Sequence, residues 1–422
     1  MSIRTPLALL AVIVAAALGL VACGGNGDDD ASQSPAPAQT GTTGGMSDGM
    51  SEIAATSPAA DLRVALDTLL GEHALLAIAA TQKGLDGDKD FEAAAAALDA
   101  NSVELSEAIG SAYGTEAAKQ FLDGPSLWRD HIGFFVDYTV GVAKKDTAAQ
   151  QEAVDNLTGY SGAFSGFLAG ATGLPQDALQ DGIQMHIGQL KGQLDAYAAG
   201  NYDEAYGFAR DAFTHMVMTG DTLAGAIQEQ SPDTFPLEPA TMSAADLRVT
   251  LDRLLGEHAI LAMLATQKGL SGDADFEAIA GALDQNGVEL SQAIGSVYGD
   301  EAADTFLNGP SLWRDHIEFF VDYTVALAKK DKAGQQEAVD NLTGYTGAFS
   351  GFLAQATGLP QDALQEGVTQ HVMQLKGQLD AYAAGDYDEA YRLFREAYEH
   401  MVMTGDTLAG AIVEQNPDMF SE

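Results

Sequence analysis

Histidines are the residues of this chain whose type and spacing could do chemistry. The chain has eight of them, in two sets of four with the same internal spacing: His73, His131, His186 and His215, then His258, His316, His371 and His400. Neutral imidazole suits zinc, copper, iron and nickel. A buried imidazole costs free energy unless both nitrogens find partners. We therefore predict that each set holds a metal ion or a haem, with separate structural roles as the alternative.

The depth of each histidine along its predicted helix indicates which of them can meet. At a rise of ~1.5 Å per residue, His73, His186 and His215 fall near the middle of their helices, whereas His131 lies closer to a helix start. Helical bundles build cofactor sites from side chains on facing helices at one level. We expect these three to converge and His131 to be the least certain member.

Copper is the metal that the sequence favours first. Met216 and Met218 follow His215, and both recur in the second set as Met401 and Met403. Histidine combined with methionine favours copper, especially Cu(I). Carboxylates stand nearby, but Glu72 and Asp130 directly precede a histidine and point about 100° away from it on a helix. Asp211, one turn before His215, shares its face.

A b-type haem held between opposed histidines is the second possibility. Glycines inside the predicted helices could make room for its flat ring: Gly71, Gly182, Gly192 and Gly220, each repeated at the equivalent position of the second half. Covalent haem is excluded because no Cys-x-x-Cys-His segment occurs. A structural or interaction module without a cofactor is the third possibility.

Motifs for other chemistry are missing from the sequence. It has no Gly-x-x-x-x-Gly-Lys loop or His-Glu-x-x-His pair, and its Gly-x-Ser-x-Gly match, Gly45 to Gly49, falls in the tether rather than between a strand and a helix. These features argue against phosphate-binding loops, zinc proteases and serine hydrolases. It also has no Glu-x-x-His pair, which ferritin-like di-iron bundles require. We predict a binding protein rather than an enzyme.

The chain is a tandem duplication of an all-α unit. Residues 61–235 and 246–420 align without a gap and are identical at most positions, and their apolar residues follow helical spacing throughout. We predict two helical bundles of about six helices each, at 58–230 and 243–422. A Pro-containing linker at 231–242 joins them, and we expect each unit to fold independently.

The N-terminus has the features of an export signal. Residues 1–23 combine Arg4, an apolar stretch and the tetrad Leu20-Val21-Ala22-Cys23, which resembles the lipobox of bacterial lipoproteins. Cys23, the only cysteine, is then the lipidated residue, and residues 24–57 form a disordered Ser-, Gly- and Pro-containing tether. We expect a protein anchored by lipid on the extracytoplasmic face of the cell membrane.

The charge balance is strongly acidic. The chain has 61 Asp and Glu against 20 Lys and Arg, a formal net charge of −41. Such a surface repels nucleic acid and concentrates cations without selecting one. Nucleic acid is therefore excluded as a partner, and the sequence indicates no particular protein partner.

Four motifs together resemble a known type of domain. They are Gly-Glu-His-x-x-Leu-Ala, Trp-x-x-His-Ile-x-Phe-Phe-Val-Asp-Tyr, His-x-x-Gln-Leu and His-Met. The pattern is similar to a poorly characterised all-helical domain of secreted bacterial proteins, some labelled copper amine oxidase-like. The resemblance implies export and a helical fold. It does not imply amine oxidase activity, because that enzyme needs Thr-x-x-Asn-Tyr and His-x-His, and neither occurs here.

Overall fold

The computed structural model describes residues 57–235 and 242–420, and within them the chain is helical without a strand. The predicted all-α class is confirmed. The signal peptide, Cys23 and the tether up to residue 56 lie outside the described residues. The helices of the first repeat are α1 (Pro58–Asp86), α2 (Phe91–Tyr113), α3 (Thr115–Asp123), α4 (Trp128–Lys144), α5 (Thr147–Thr172), α6 (Gln176–Ala198) and α7 (Tyr202–Gln230).

The second repeat has the same order of helices. They are α8 (Met242–Ser271), α9 (Phe276–Tyr298), α10 (Asp300–Asn308), α11 (Trp313–Ala328), α12 (Lys332–Thr357), α13 (Gln361–Ala384) and α14 (Tyr387–Gln415), followed by a 3₁₀ turn at Pro417–Met419. Six helices of each repeat correspond to the predicted six. The short helices α3 and α10 were not expected. Each follows a glycine with positive φ, Gly114 or Gly299, a backbone conformation that glycine adopts readily.

One long helix lies at the centre of each repeat. Helix α1 packs on α2, α4, α6 and α7, and α8 packs on the equivalent four helices. One described helix, α1, is long and apolar enough to cross a membrane, but 78% of its most apolar window is buried inside the protein. That burial is typical of a core helix. The central helix can therefore direct a histidine at side chains from several neighbours.

The two repeats pack against each other along a pseudo-twofold arrangement. Helix α1 contacts α8, α7 contacts α9, and α14 contacts α2. Arg210 binds Glu257 and Glu289 of the second repeat, and Arg395, its equivalent, binds Glu72 and Glu104 of the first. A reciprocal set of this kind is the mark of a two-fold interface.

Further contacts across the interface are also reciprocal, and some are buried. Lys83 binds Tyr382 while Lys268 binds Tyr197, and Tyr206 donates to Asp275 while Tyr391 donates to Asp90. One hydrophobic core runs through both repeats. The repeats thus form one compact body, and independent folding of each unit remains a prediction.

Candidate metal centre

Three helices of the second repeat bring three histidines together. His258 comes from the central helix α8, His316 from the first turn of α11, and His371 from the middle of α13. One nitrogen from each ring lies within 4.8 Å of the other two. The side chains are 0%, 1% and 5% exposed, so water does not reach this His258–His316–His371 triad freely.

The nitrogens of the triad have few hydrogen-bond partners among the described residues. Nε2 of His258 and Nε2 of His316 lie 3.4 Å apart, while Nδ1 of all three rings is buried without a partner. Two ligands of a metal ion at 2.0–2.1 Å in tetrahedral geometry are about 3.3 Å apart. The His258–His316 spacing already fits an ion, and His371 would move by an ångström or so to complete the set.

Aromatic side chains pack against the rings of the triad. Trp313 lies 4.5 Å from His258 and 5.0 Å from His316 between ring centroids, and Tyr345 stacks on His316 at 4.7 Å. Metal-binding histidines usually donate their second nitrogen to an acceptor. Here the walls of the site are rings, so the donor set is neutral and its surroundings are apolar.

Burial keeps the imidazoles neutral at ordinary pH. Desolvation lowers the pKa of His316 to about 4 and holds the pKa values of His258 and His371 well below the ordinary value. The neighbouring histidines add to the lowering for His258 and His371. A neutral imidazole offers a lone pair to a metal without first losing a proton, so the triad is ready to bind a cation near pH 7.

The first repeat groups the equivalent histidines more loosely. Ring centroids of His73 lie 5.4 Å from His131 and 6.1 Å from His186, against 5.3 and 5.7 Å in the second repeat. Both nitrogens of His73 and of His186 are buried without partners in the described part of the chain. This His73–His131–His186 triad has the same residue types and the same burial, with a wider spacing.

The fourth histidine of each set contacts a backbone carbonyl, and in the first repeat its ring also stacks beside His186 with centroids 6.4 Å apart. Nε2 of His215 lies 2.9 Å from the carbonyl oxygen of Gly182, and His400 makes the same contact with Gly367. Both side chains are only partly buried. The ring of His131, which we expected to be the least certain member, lies 5.4 Å from that of His73 between centroids. Convergence of His215 with His73 and His186 on one ligand remains a prediction.

The nearby acids and methionines of the sequence analysis do not join the triads. Glu72 is buried and bonded to Arg395 and Asn101, whereas Asp130 accepts from the backbone of Ser126. Asp211 is exposed. Met218 and Met403 are 60% and 63% exposed, and Met216 and Met401 are core residues. The methionine argument for copper therefore has no geometric support.

Two cavities border the second triad. The larger, of about 480 Å³, is lined by His371 and His400, and the smaller, of about 280 Å³, is lined by His258 and His316. Metal sites that keep an open coordination position use such space for an added ligand. The triad can thus bind an ion through three nitrogens with room beside it.

Sequence reasoning missed the aromatic walls and the residues that join the repeats. Trp128 and Tyr160 contact His131 as Trp313 and Tyr345 contact His316. The sequence placed Trp128 on the same helix face as His131, but it did not predict the stacking of Tyr160 from another helix. Their position on the apolar faces of the predicted helices was the signal that could have identified them as walls of the site. Comparison with family models, characterised proteins and solved structures finds no match for this chain.

Proposed function

We propose that each repeat binds one transition-metal ion through its buried histidine triad, and that the ion is copper. The observation that carries the proposal is a set of three buried, neutral imidazoles with one nitrogen of each ring within 4.8 Å of the others, and with Nδ1 of each ring lacking a hydrogen-bond partner among the described residues. Each unsatisfied buried polar group costs about 1–3 kcal/mol. One ion bound by three lone pairs would offset that cost at three residues together.

Charge favours Cu(I) over a divalent ion. The triad in the second repeat contains no carboxylate, so three neutral ligands would leave the whole ionic charge in an apolar site. The cost of burying an ion is high and rises with the square of its charge, so a monovalent ion is buried more cheaply. Copper is the imidazole-binding metal with a stable monovalent state.

A haem is less well supported than an ion. A b-type haem needs two imidazoles on opposite faces of the iron and free space around it for the ring. In the second repeat the third imidazole, at 5.7 Å from His258 and 6.5 Å from His316, occupies space beside such a pair. The absence of a Soret band in protein purified from haem-supplied cells would support the ion.

The number of ions bound per chain and the proposed location at the membrane limit the role of the protein. Two ions per 44.0 kDa chain is a small capacity, which favours sequestration or delivery over bulk storage. Lipidation at Cys23 would hold the chain at the extracytoplasmic face of the membrane, where the acidic surface concentrates cations. Metal reaching that face would then be captured in the two bundles.

A titration of metal-free protein tests the proposal. Under reducing conditions, competition with a chromophoric Cu(I) chelator should show two Cu(I) bound per chain. His371→Leu should leave one, because it removes a triad ligand, and the matched variant His400→Leu should keep two. Two ions retained in His371→Leu, or a wild-type chain that binds none, would contradict the proposal. Zinc bound more tightly than Cu(I) would reassign the metal.

A further inference from the structure

The larger of the two cavities beside the second triad has the size of a small-molecule site. Its volume of about 480 Å³ falls within the ~300–1,000 Å³ of ligand pockets in proteins. Its inner wall is formed by buried rings, among them Trp313, Tyr345 and Phe349, with His371 beside them. Well-packed cores leave few voids larger than a water molecule, so a space of this size against buried aromatic side chains is unusual and could hold a ligand.

The mouth of the cavity is the part that water reaches. Glu301 and Thr305 of α10 and Gln355 of α12 line it and are exposed. From there the lining becomes apolar toward the triad. An occupant would enter between these two helices and place its body against the aromatic rings.

The charges of the lining select the class of occupant. The described residues of the cavity wall include no Lys or Arg, and their one carboxylate, Glu301, is at the mouth. The chain as a whole carries a net charge of −41. An anionic ligand would lose its hydration without gaining a cationic partner, so fatty-acid carboxylates and phosphate esters are disfavoured. We propose that the cavity binds a neutral, mainly apolar small molecule, with or without metal in the triad.

Two naphthalene probes of nearly equal shape test the charge selection. N-phenyl-1-naphthylamine is neutral, and 8-anilino-1-naphthalenesulfonate adds one sulfonate to the same skeleton; both fluoresce more strongly in apolar surroundings. The metal-free mature chain should bind the neutral probe tighter by about tenfold or more, equivalent to about 1.4 kcal/mol. Equal binding of the two probes would overturn the proposed ligand class.

A glycine in the wall allows the location to be tested. Gly367 lines the cavity, and a Cβ built on it meets nothing within 4 Å, so Gly367→Phe should fill the space without a backbone clash. Gly344→Phe is the matched control, because Gly344 is helical, exposed and equally free of neighbours. Both are made in a Gly182→Phe chain, so that the equivalent position of the first repeat is filled throughout.

The expected result is loss of the neutral probe in one variant only. Gly367→Phe should weaken its binding about tenfold or more, while Gly344→Phe binds like the parent chain. Unchanged binding in a folded Gly367→Phe protein would overturn the proposal. If circular dichroism shows that Gly367→Phe is unfolded, Ala302→Trp at the half-buried edge of the mouth tests the same prediction by blocking entry.

Discussion

The two repeats carry equivalent histidine triads, yet the distances between the three rings differ. In the second repeat Nε2 of His258 and of His316 are 3.4 Å apart and His371 completes a close group. In the first repeat the described residues offer no partner to either nitrogen of His73 or of His186. The rings of His73 and His186 are also farther apart than their equivalents, at 6.1 Å against 5.7 Å. Identical ligands therefore do not ensure an identical site.

Several residues beside the triads differ between the repeats, and one of them contacts the tryptophan. In the first repeat Trp128 donates its Nε1 hydrogen to Ser102 at 3.1 Å. Gly287 replaces this serine in the second repeat, and Nε1 of Trp313 is buried without a partner among the described residues. A Cβ at Gly287 would lie 2.7 Å from that nitrogen, so the tryptophan sits closer to the helix there. The indole beside the triad is thus held in two different ways.

The interface between the repeats shows the opposite behaviour, because its ion pairs are reciprocal. Arg210 and Arg395 reach the equivalent glutamates at 2.9 Å in both directions. The histidine sites inside the bundles differ, while these ion pairs between the repeats are symmetric. One contact across the interface is not, because Tyr398 donates to the carbonyl oxygen of Thr68 and Phe213 stands at the equivalent position. Four predictions test this contrast, starting with the largest effect.

Loss of either interface arginine should destabilise the protein strongly and equally. Arg395→Leu leaves the buried carboxylate of Glu72 without its cation, and Arg210→Leu does the same to Glu257, each costing about 3–5 kcal/mol. Urea unfolding measures the change. Arg392→Leu on the same helix is the control, since its ion pairs are exposed and it should change stability little. A difference of several kcal/mol between Arg210→Leu and Arg395→Leu would contradict the predicted symmetry.

The closer triad should bind Cu(I) more tightly. Chelator competition on the wild-type chain should resolve two affinities, and His316→Leu should abolish the tighter one while His131→Leu abolishes the weaker one. Removing a ligand should cost more than the ~10–100-fold lost when only a supporting residue is changed. If His131→Leu removed the tighter site instead, the geometric ranking of the repeats would be wrong.

Acid should destabilise the metal-free protein through the buried histidines. Burial lowers the pKa of His131 and His316 to about 4 and that of His186 to about 3, from an ordinary value of 6.5. Between about pH 6.5 and 4 the unfolded chain takes up protons that the folded chain does not, so the free energy of unfolding falls by up to about 1.4 kcal/mol per pH unit for each histidine. This contribution is fully present above about pH 6.5.

Replacing His131 or His316 with leucine should reduce the dependence of the free energy of unfolding on pH by the contribution of one histidine. Urea unfolding of His131→Leu and His316→Leu at several pH values measures it, and the wild-type chain is the reference. The two variants should flatten the slope equally, because the two pKa values are lowered equally. An unchanged slope in either variant would mean that its histidine is protonated in the folded state.

Exchange of Ser102 and Gly287 should have the smallest effect. Ser102→Gly removes an acceptor worth about 1 kcal/mol and adds a helical glycine at a similar cost, while Gly287→Ser requires Trp313 to shift. If the indole controls the spacing of the triads, the exchanged chain should show the two Cu(I) affinities in reversed order. Unchanged affinities would place the cause elsewhere in the bundles.

The sequence predicted the helices more accurately than it predicted the grouping of the histidines. Apolar spacing predicted six helices per repeat because helical periodicity is a local property. It missed the short helices α3 and α10, which have too few turns to show that periodicity. It also ranked the histidines by depth along each helix, and this put His131 last although its ring lies 5.4 Å from that of His73. Depth says nothing about how far neighbouring helices are shifted against each other, and that shift brings His316 of the first turn of α11 beside His258.

By itself, the sequence determined the duplication, the helical class and the presence of imidazoles on apolar faces, because these depend on residue identity and on spacing within one helix. Only the tertiary structure decided which three histidines meet, that His215 and His400 turn to backbone carbonyls, and that a cavity lies beside one triad. It also decided that the repeats join through reciprocal ion pairs. Each of these depends on side chains from different helices, far apart along the chain, whose distances are set by how helices pack rather than by how each one forms.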